Sequence, residues 1–227
     1  MKAILFDFGG TIDTDGVHWS EKFWEYYLRY RIPVPKERFE KAFVTSEKEL
    51  GSDPSLREAT FYATLLKQFT LQFAILGIKL NQDEVVKIVN ACYADVGKTI
   101  ADAKKLLLEL KSRFQMGVVS NFYGNLDVVC KEFGLDRLFD VRIDSIIVGI
   151  WKPDPGIFRA ALERLGTDAR DTYVVGDSYD RDIVPSKQLG CTTIWLRGKS
   201  WTTPSSTEAA DFTIQKFQEI SSIISRS

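Results

Sequence analysis

The chain has 227 residues, with 30 Lys and Arg against 31 Asp and Glu, and its formal charge of −1 supplies no global field to hold nucleic acid or an anionic membrane. Hydrophobic residues make up 44%, enough for a core that needs no cross-links. Three distant cysteines (Cys92, Cys130, Cys191) and a single histidine, His18, argue against a zinc cluster, and each cysteine is expected as a small buried apolar residue in a reducing compartment.

Residues 2–8 form an apolar run that ends in Asp7 and is closed by Gly9-Gly10, the pattern of a buried strand followed by a tight turn. The run starts within two residues of Met1, without a charged leader or cleavage site. No apolar stretch approaches the ~20 residues of a membrane span, so a soluble, cytoplasmic chain with no membrane partner is expected. From 19 to 96 the texture is helical, with Phe23, Trp24, Tyr27 and Tyr30, then Phe61, Leu65, Gln68 and Phe69, at helical spacing. Breaks at 32–35, 51–54 and 77–81 divide this stretch into about four helices with no strand between them.

From 101 onward helices and strands alternate: helices at 101–113, 125–133, 156–165 and 181–189, and strands at 115–120, 139–143, 172–176, 191–196 and 211–214. Such alternation predicts a parallel sheet covered on both faces. The expected fold is therefore α/β: a Rossmann-like three-layer core with a parallel sheet (1–14 and 98–227) and an inserted all-helical cap domain (15–97). In such sheets ligands bind outside the carboxyl ends of the strands. Asp7, Ser120 and Asp177 all fall at those ends.

Four groups there carry chemistry. Asp7 is a carboxylate at the end of a buried strand, which is costly unless paired or metal-bound. Gly9-Gly10-Thr11 beside it forms a turn whose amides can approach an anion. Ser120-Asn121 offers a hydroxyl and an amide to the same crevice. Lys152, in Trp151-Lys152-Pro153-Asp154-Pro155, is held extended by the following proline just ahead of a helix. Gly176-Asp177-Ser178-Tyr179-Asp180-Arg181-Asp182 brings two more carboxylates, Asp177 and Asp182. Carboxylates from different strands suit magnesium, which binds one or two of them and takes its remaining ligands from water and phosphate.

In this order the four groups resemble the four motifs of the haloacid dehalogenase superfamily. The helical insertion after the first motif resembles the cap of the subgroup with phosphoglycolate phosphatases and β-phosphoglucomutases. The resemblance implies a Mg2+-dependent phosphatase acting on a small phosphorylated substrate, as a monomer or homodimer. It implies that Asp7 is the nucleophile, that Ser120 and Lys152 hold the phosphoryl group with Gly10, Thr11 and Asn121, and that Asp7, the Gly9 carbonyl, Asp177 and Asp182 form the metal shell.

One position departs from the pattern. Phosphatases of the family usually read Asp-x-Asp-Gly-Thr, and the second aspartate serves as general acid and base. Gly9 stands in its place here. Asp13, Asp15 and His18 follow closely; the two aspartates read as a solvated hinge into the cap, and His18 has the natural pKa for proton transfer. The alternatives are a hydrolase of phosphonate, which needs a cap lysine, or of another carbon–heteroatom bond within the superfamily, and a phospho-ligand-binding protein with little turnover. Substrate choice is expected from cap residues facing the crevice, with His18, Trp19 and residues 45–52 as candidates.

Overall fold

The computed structural model describes residues 2–204 and 206–224. Its centre is a six-stranded parallel sheet: β1 (Ala3–Phe6), β2 (Gln115–Ser120), β3 (Val141–Asp144), β4 (Thr172–Gly176), β5 (Thr192–Leu196) and β6 (Phe212–Ile214), in the order β3-β2-β1-β4-β5-β6. Successive side chains of a strand point to opposite faces. Ile4, Phe6, Met116, Val118 and Val175 accordingly join one apolar cluster, while Ala3, Leu5, Val119, Ile143 and Val174 join a second. Both faces are dry, so these strands read as unbroken apolar runs.

Between β1 and β2 the chain forms four helices: α1 (Trp19–Arg29), α2 (Lys36–Gly51), α3 (Phe61–Leu76) and α4 (Gln82–Lys111). Pro35 precedes α2 directly, and Gly77 ends α3 in a left-handed conformation (φ 69°) that a side chain would strain. Their inward stripes build an aromatic core in which Phe23 and Phe69, and Tyr27 and Phe39, both have ring centroids 4.7 Å apart. That core is continuous with the sheet cluster containing Ile4 and Phe6.

Two expectations are corrected here. No helix starts at 101: that segment is the last part of α4, which runs unbroken for 30 residues through the boundary expected at 97/98. Gly97 is tolerated inside it because Val96 and Ile100 on either side are buried and hold the register. The helix expected at 181–189 is instead a wide turn, Tyr179–Ile183, followed by a short helix at Val184–Gln188, with Pro185 in its first turn. The remaining helices are α5 (Leu126–Glu132), α6 (Ser145–Val148), α7 (Gly156–Leu165), α8 (Val184–Gln188) and α9 (Ile220–Ile224). All three cysteines are buried free thiols. Among the described residues no helix is long and apolar enough to cross a membrane.

Candidate active site

Because β1 lies between β2 and β4, three strand ends meet at one edge of the sheet. Asp7 follows β1, and its backbone N–H donates to the Val175 carbonyl at 2.9 Å, extending the ladder by one residue. Ser120 ends β2, and Asp177 follows β4. Over them opens a cavity of about 580 Å³, lined by Asp7, Gly9, Ser120, Lys152, Asp177 and Asp182 and by residues of the inserted helices.

Asp7 Oδ1 accepts from Lys152 Nζ at 2.6 Å and from Ser120 Oγ at 3.1 Å. Lys152 Nζ is also 2.6 Å from Asp182 Oδ1, and the two side chains are each only 2% exposed. Such short charge-assisted contacts fix the ammonium between the carboxylates. Burial alone would lower the Lys152 pKa; Asp182 and then Asp7 outweigh it, and the ammonium is held above its ordinary value. Carboxylate oxygens of Asp7, Asp177 and Asp182 all lie within 4.8 Å of one another. One ammonium against three carboxylates leaves an excess of negative charge. Burial, then repulsion from Asp7 and Asp182, pushes the Asp177 carboxyl well above the usual carboxylate range. A hard divalent cation relieves that repulsion, and an all-oxygen donor set of this kind fits magnesium.

The other expected residues occupy different posts. The Gly10 N–H donates to Asp13 Oδ1 at 2.7 Å, and Gly10 (φ 96°) is absent from the cavity lining and tight against Asp177. Thr11 is fully buried; its hydroxyl sits 3.2 Å from both Asp7 Oδ2 and Asp177 Oδ1 and accepts from the Asp177 N–H at 3.1 Å. It braces two aspartates from behind. Asn121 lines the cavity, but its amide clamps the Lys152 loop, donating to the Lys152 carbonyl (3.1 Å) and accepting its N–H (2.9 Å). Asp182 is anchored by the Ser178 N–H at 3.1 Å.

The expected solvated hinge is also corrected. Asp13 is fully buried, accepting from Gly10 N–H and from Trp19 Nε1–H at 2.9 Å. Asp15 holds the C-terminal segment through the Phe217 N–H (2.7 Å) and Lys216 Nζ (3.0 Å). Burial raises the Asp13 carboxyl to about 7 against those hydrogen bonds. A carboxyl whose folded pKa exceeds its unfolded value (about 3.9) makes the native state the better proton binder. Its contribution to stability is therefore greatest at acid pH and is lost as pH rises through the window from the unfolded value to about 7, by up to ~1.4 kcal/mol per pH unit. Thermal unfolding of wild type and Asp13→Asn between pH 5 and 8 should show that the wild type loses more stability with rising pH than the variant. Parallel pH profiles would contradict this.

His18 and Trp19 line the cavity, as does Glu47 from the 45–52 segment of α2. Burial, then Arg181, pushes His18 down to about 4, so its ring is neutral at pH 7. Glu47 Oε1 accepts from Tyr123 Oη (2.8 Å) and from Gln68 Nε2, and burial raises its carboxyl. Sequence reading missed Gln68, Tyr123, Arg181 and Arg197 in the wall. Gln68 carried a signal, being a polar residue on the apolar stripe of α3. So did Arg197, which directly follows the carboxyl end of β5.

Residues 1–190 match the profile of the haloacid dehalogenase-like hydrolases. The chain is 32% identical over 127 residues to a glyceraldehyde 3-phosphate phosphatase of Methanocaldococcus jannaschii, covering 53% of this chain and 54% of that protein. The match thus spans about half the length of that relative. Against haloacid dehalogenase-like hydrolase domain-containing protein 3 of Bos taurus it is 32% identical over 192 residues, 81% of this chain and 75% of that one. Among solved structures, the magnesium-bound HAD-hydrolase YfnB of Bacillus subtilis superposes with a TM-score of 0.60 at 19% identity, covering 98% of each chain, a likeness of fold.

Proposed function

The chain belongs to the haloacid dehalogenase-like hydrolases and is an enzyme of that class, and from that premise we propose that it is a magnesium-dependent phosphatase that cleaves a small phosphorylated metabolite through an aspartyl-phosphate on Asp7. The observation that carries this reading is the single buried array in which Lys152 and Ser120 converge on Asp7 Oδ1 beside Asp177 and Asp182.

Each residue then has a task. Lys152 and Ser120 hold one Asp7 oxygen, and Thr11 the other, so the carboxylate enters the reaction already oriented. Lys152 also offers positive charge where phosphoryl oxygens gather charge as the bond to the leaving group breaks. Asp7, Asp177 and Asp182, with the Gly9 carbonyl, are the residues that would hold Mg2+. A bound ion supplies charge neutralisation to the phosphoryl group. Asn121 keeps the Lys152 loop in register. The helices from α1 to the first half of α4 act as a cap that closes over substrate and excludes water.

Relatives described as phosphatases support the phosphoester reading. Phosphonate hydrolysis would need a cap lysine in the crevice, and among the described lining residues Lys152 is the lysine present. The test is release of inorganic phosphate from a panel of phosphate esters and anhydrides. Turnover should require Mg2+, stop with EDTA and fall at least ~10³-fold in Asp7→Asn. Turnover that survives both treatments would exclude this mechanism. Tight Mg2+-dependent binding of phosphorylated ligands without product would instead favour a binding role.

A further inference from the structure

Gly9 stands where the family's acid–base carboxylate is expected, and an indole packs against it. A Cβ on Gly9 would lie 3.6 Å from Trp19 Cδ1 and 3.7 Å from Trp19 Nε1. The indole is pinned there, because its Nε1–H donates to Asp13 Oδ2 (2.9 Å) while Asp13 Oδ1 receives the Gly10 N–H (2.7 Å). Asp13 therefore lies behind the wall with both oxygens engaged, fully buried. It is a positioning residue for Trp19 and the turn, and does not reach the cavity as a proton donor.

Two titratable groups of the cavity wall, His18 and Glu47, are also engaged. His18 lines the cavity, yet its Nδ1 accepts the Ser20 N–H at 3.2 Å, and its ring, with a pKa of about 4, carries no ionisable acid proton near neutral pH. Glu47 is tied to Tyr123 and Gln68 and is influenced by Arg181. The cavity wall also carries two exposed guanidinium groups, Arg181 and Arg197, which suit a departing anion.

Resting on the phosphatase reading above, we propose that this site is adapted to acyl phosphates: donors whose leaving oxygen departs as a carboxylate and needs no proton. In the first step an Asp7 oxygen attacks phosphorus, the phosphorus–oxygen bond to the acyl group breaks, and the bonding pair stays on the carboxylate. Water then attacks the phosphorus of the aspartyl-phosphate. The phosphorus–Asp7 bond breaks with its pair returning to Asp7, one water proton remains on phosphate, and the other passes to solvent. An alkyl ester in the same site would have to expel an unprotonated alkoxide.

Acetyl phosphate and ethyl phosphate, matched in size, isolate the leaving group. With Mg2+ and wild-type protein, kcat/KM corrected for spontaneous hydrolysis should favour acetyl phosphate by ~10²–10⁴-fold, the range a missing general acid implies. Phenyl and p-nitrophenyl phosphate should fall between them, in order of phenol acidity. Gly9→Asp, made together with Trp19→Ala to leave the carboxylate free to turn, should narrow the acetyl-to-ethyl ratio by at least ~10-fold. If that variant does not fold, the wild-type ratio decides alone. Ethyl phosphate turned over within ~10-fold of acetyl phosphate would overturn this inference and leave the phosphatase reading standing. No Asp7-dependent release from any of the four would overturn both.

Discussion

Replacing Lys152 with methionine is expected to abolish turnover and to lower the stability of the metal-free protein by about 3–5 kcal/mol. The side chain is 2% exposed and sits 2.6 Å from carboxylates on two different segments, Asp7 and Asp182. Methionine preserves most of the volume, so packing loss is small and the electrostatic loss dominates. What remains is three clustered carboxylates without their cation. They must protonate or repel one another, and both outcomes disfavour the fold at neutral pH. Mg2+ bound to the same carboxylates should restore part of the stability by mass action. Chemical denaturation of wild type and variant, with EDTA and with Mg2+, checks this. A variant as stable as wild type in EDTA would show that the ammonium does not hold the cluster together.

The second large effect is expected at Gly10. Its φ of 96° is unfavourable for any residue with a Cβ, at a cost of about 1–2 kcal/mol. A Cβ there would also come within 2.4–2.6 Å of the Asp177 carboxylate. Gly10→Ala therefore forces Asp177 aside, and Asp177 is tied both to Thr11 and, through its carbonyl, to Trp195 Nε1 (2.9 Å). Stability should fall by about 2–4 kcal/mol as the strain and the displaced carboxylate add. Activity should fall ~10²-fold or more, because a shift near 1 Å in a positioned group has that effect. Gly9→Ala is the stability control. Gly9 has φ −77°, and its Cβ would meet only ordinary contacts near 3.6 Å, so this change should alter stability little. Equal losses for the two alanines would contradict the account.

How much of this was legible in the sequence depends on the length scale of the signal. Strand ends were readable because each apolar run stops at a polar residue: Phe6 before Asp7, Val119 before Ser120, and Val175-Gly176 before Asp177. Their meeting at one edge follows from the parallel topology, which the alternation of helices and strands implied. The separate helix expected from 101 is absent, since buried residues from Val85 to Leu110 keep one helical stripe that overrides Gly97. Roles within the turn were less legible. Gly9, Gly10 and Thr11 have the residue types of an anion-binding turn, but only the fold shows which donor faces the cavity and which faces a neighbour. Asp13 looked solvated because Thr14, Asp15 and Gly16 follow it; Trp19, six residues on, completes its burial. The cavity's far wall, with Glu47, Gln68, Tyr123 and Arg181, assembles from segments far apart in the chain, and no local pattern links them.

The most direct measurement of the central claim is mass spectrometry of acid-quenched protein, sampled milliseconds to seconds after mixing with acetyl phosphate and Mg2+. With Gly9 in place of a base to activate water, the aspartyl-phosphate should accumulate. The account predicts one added phosphoryl group, confined to the peptide containing Asp7, absent with EDTA and absent in Asp7→Asn. Phosphate release with no phosphorylated protein at any time, or a phosphoryl group on another residue, would contradict it.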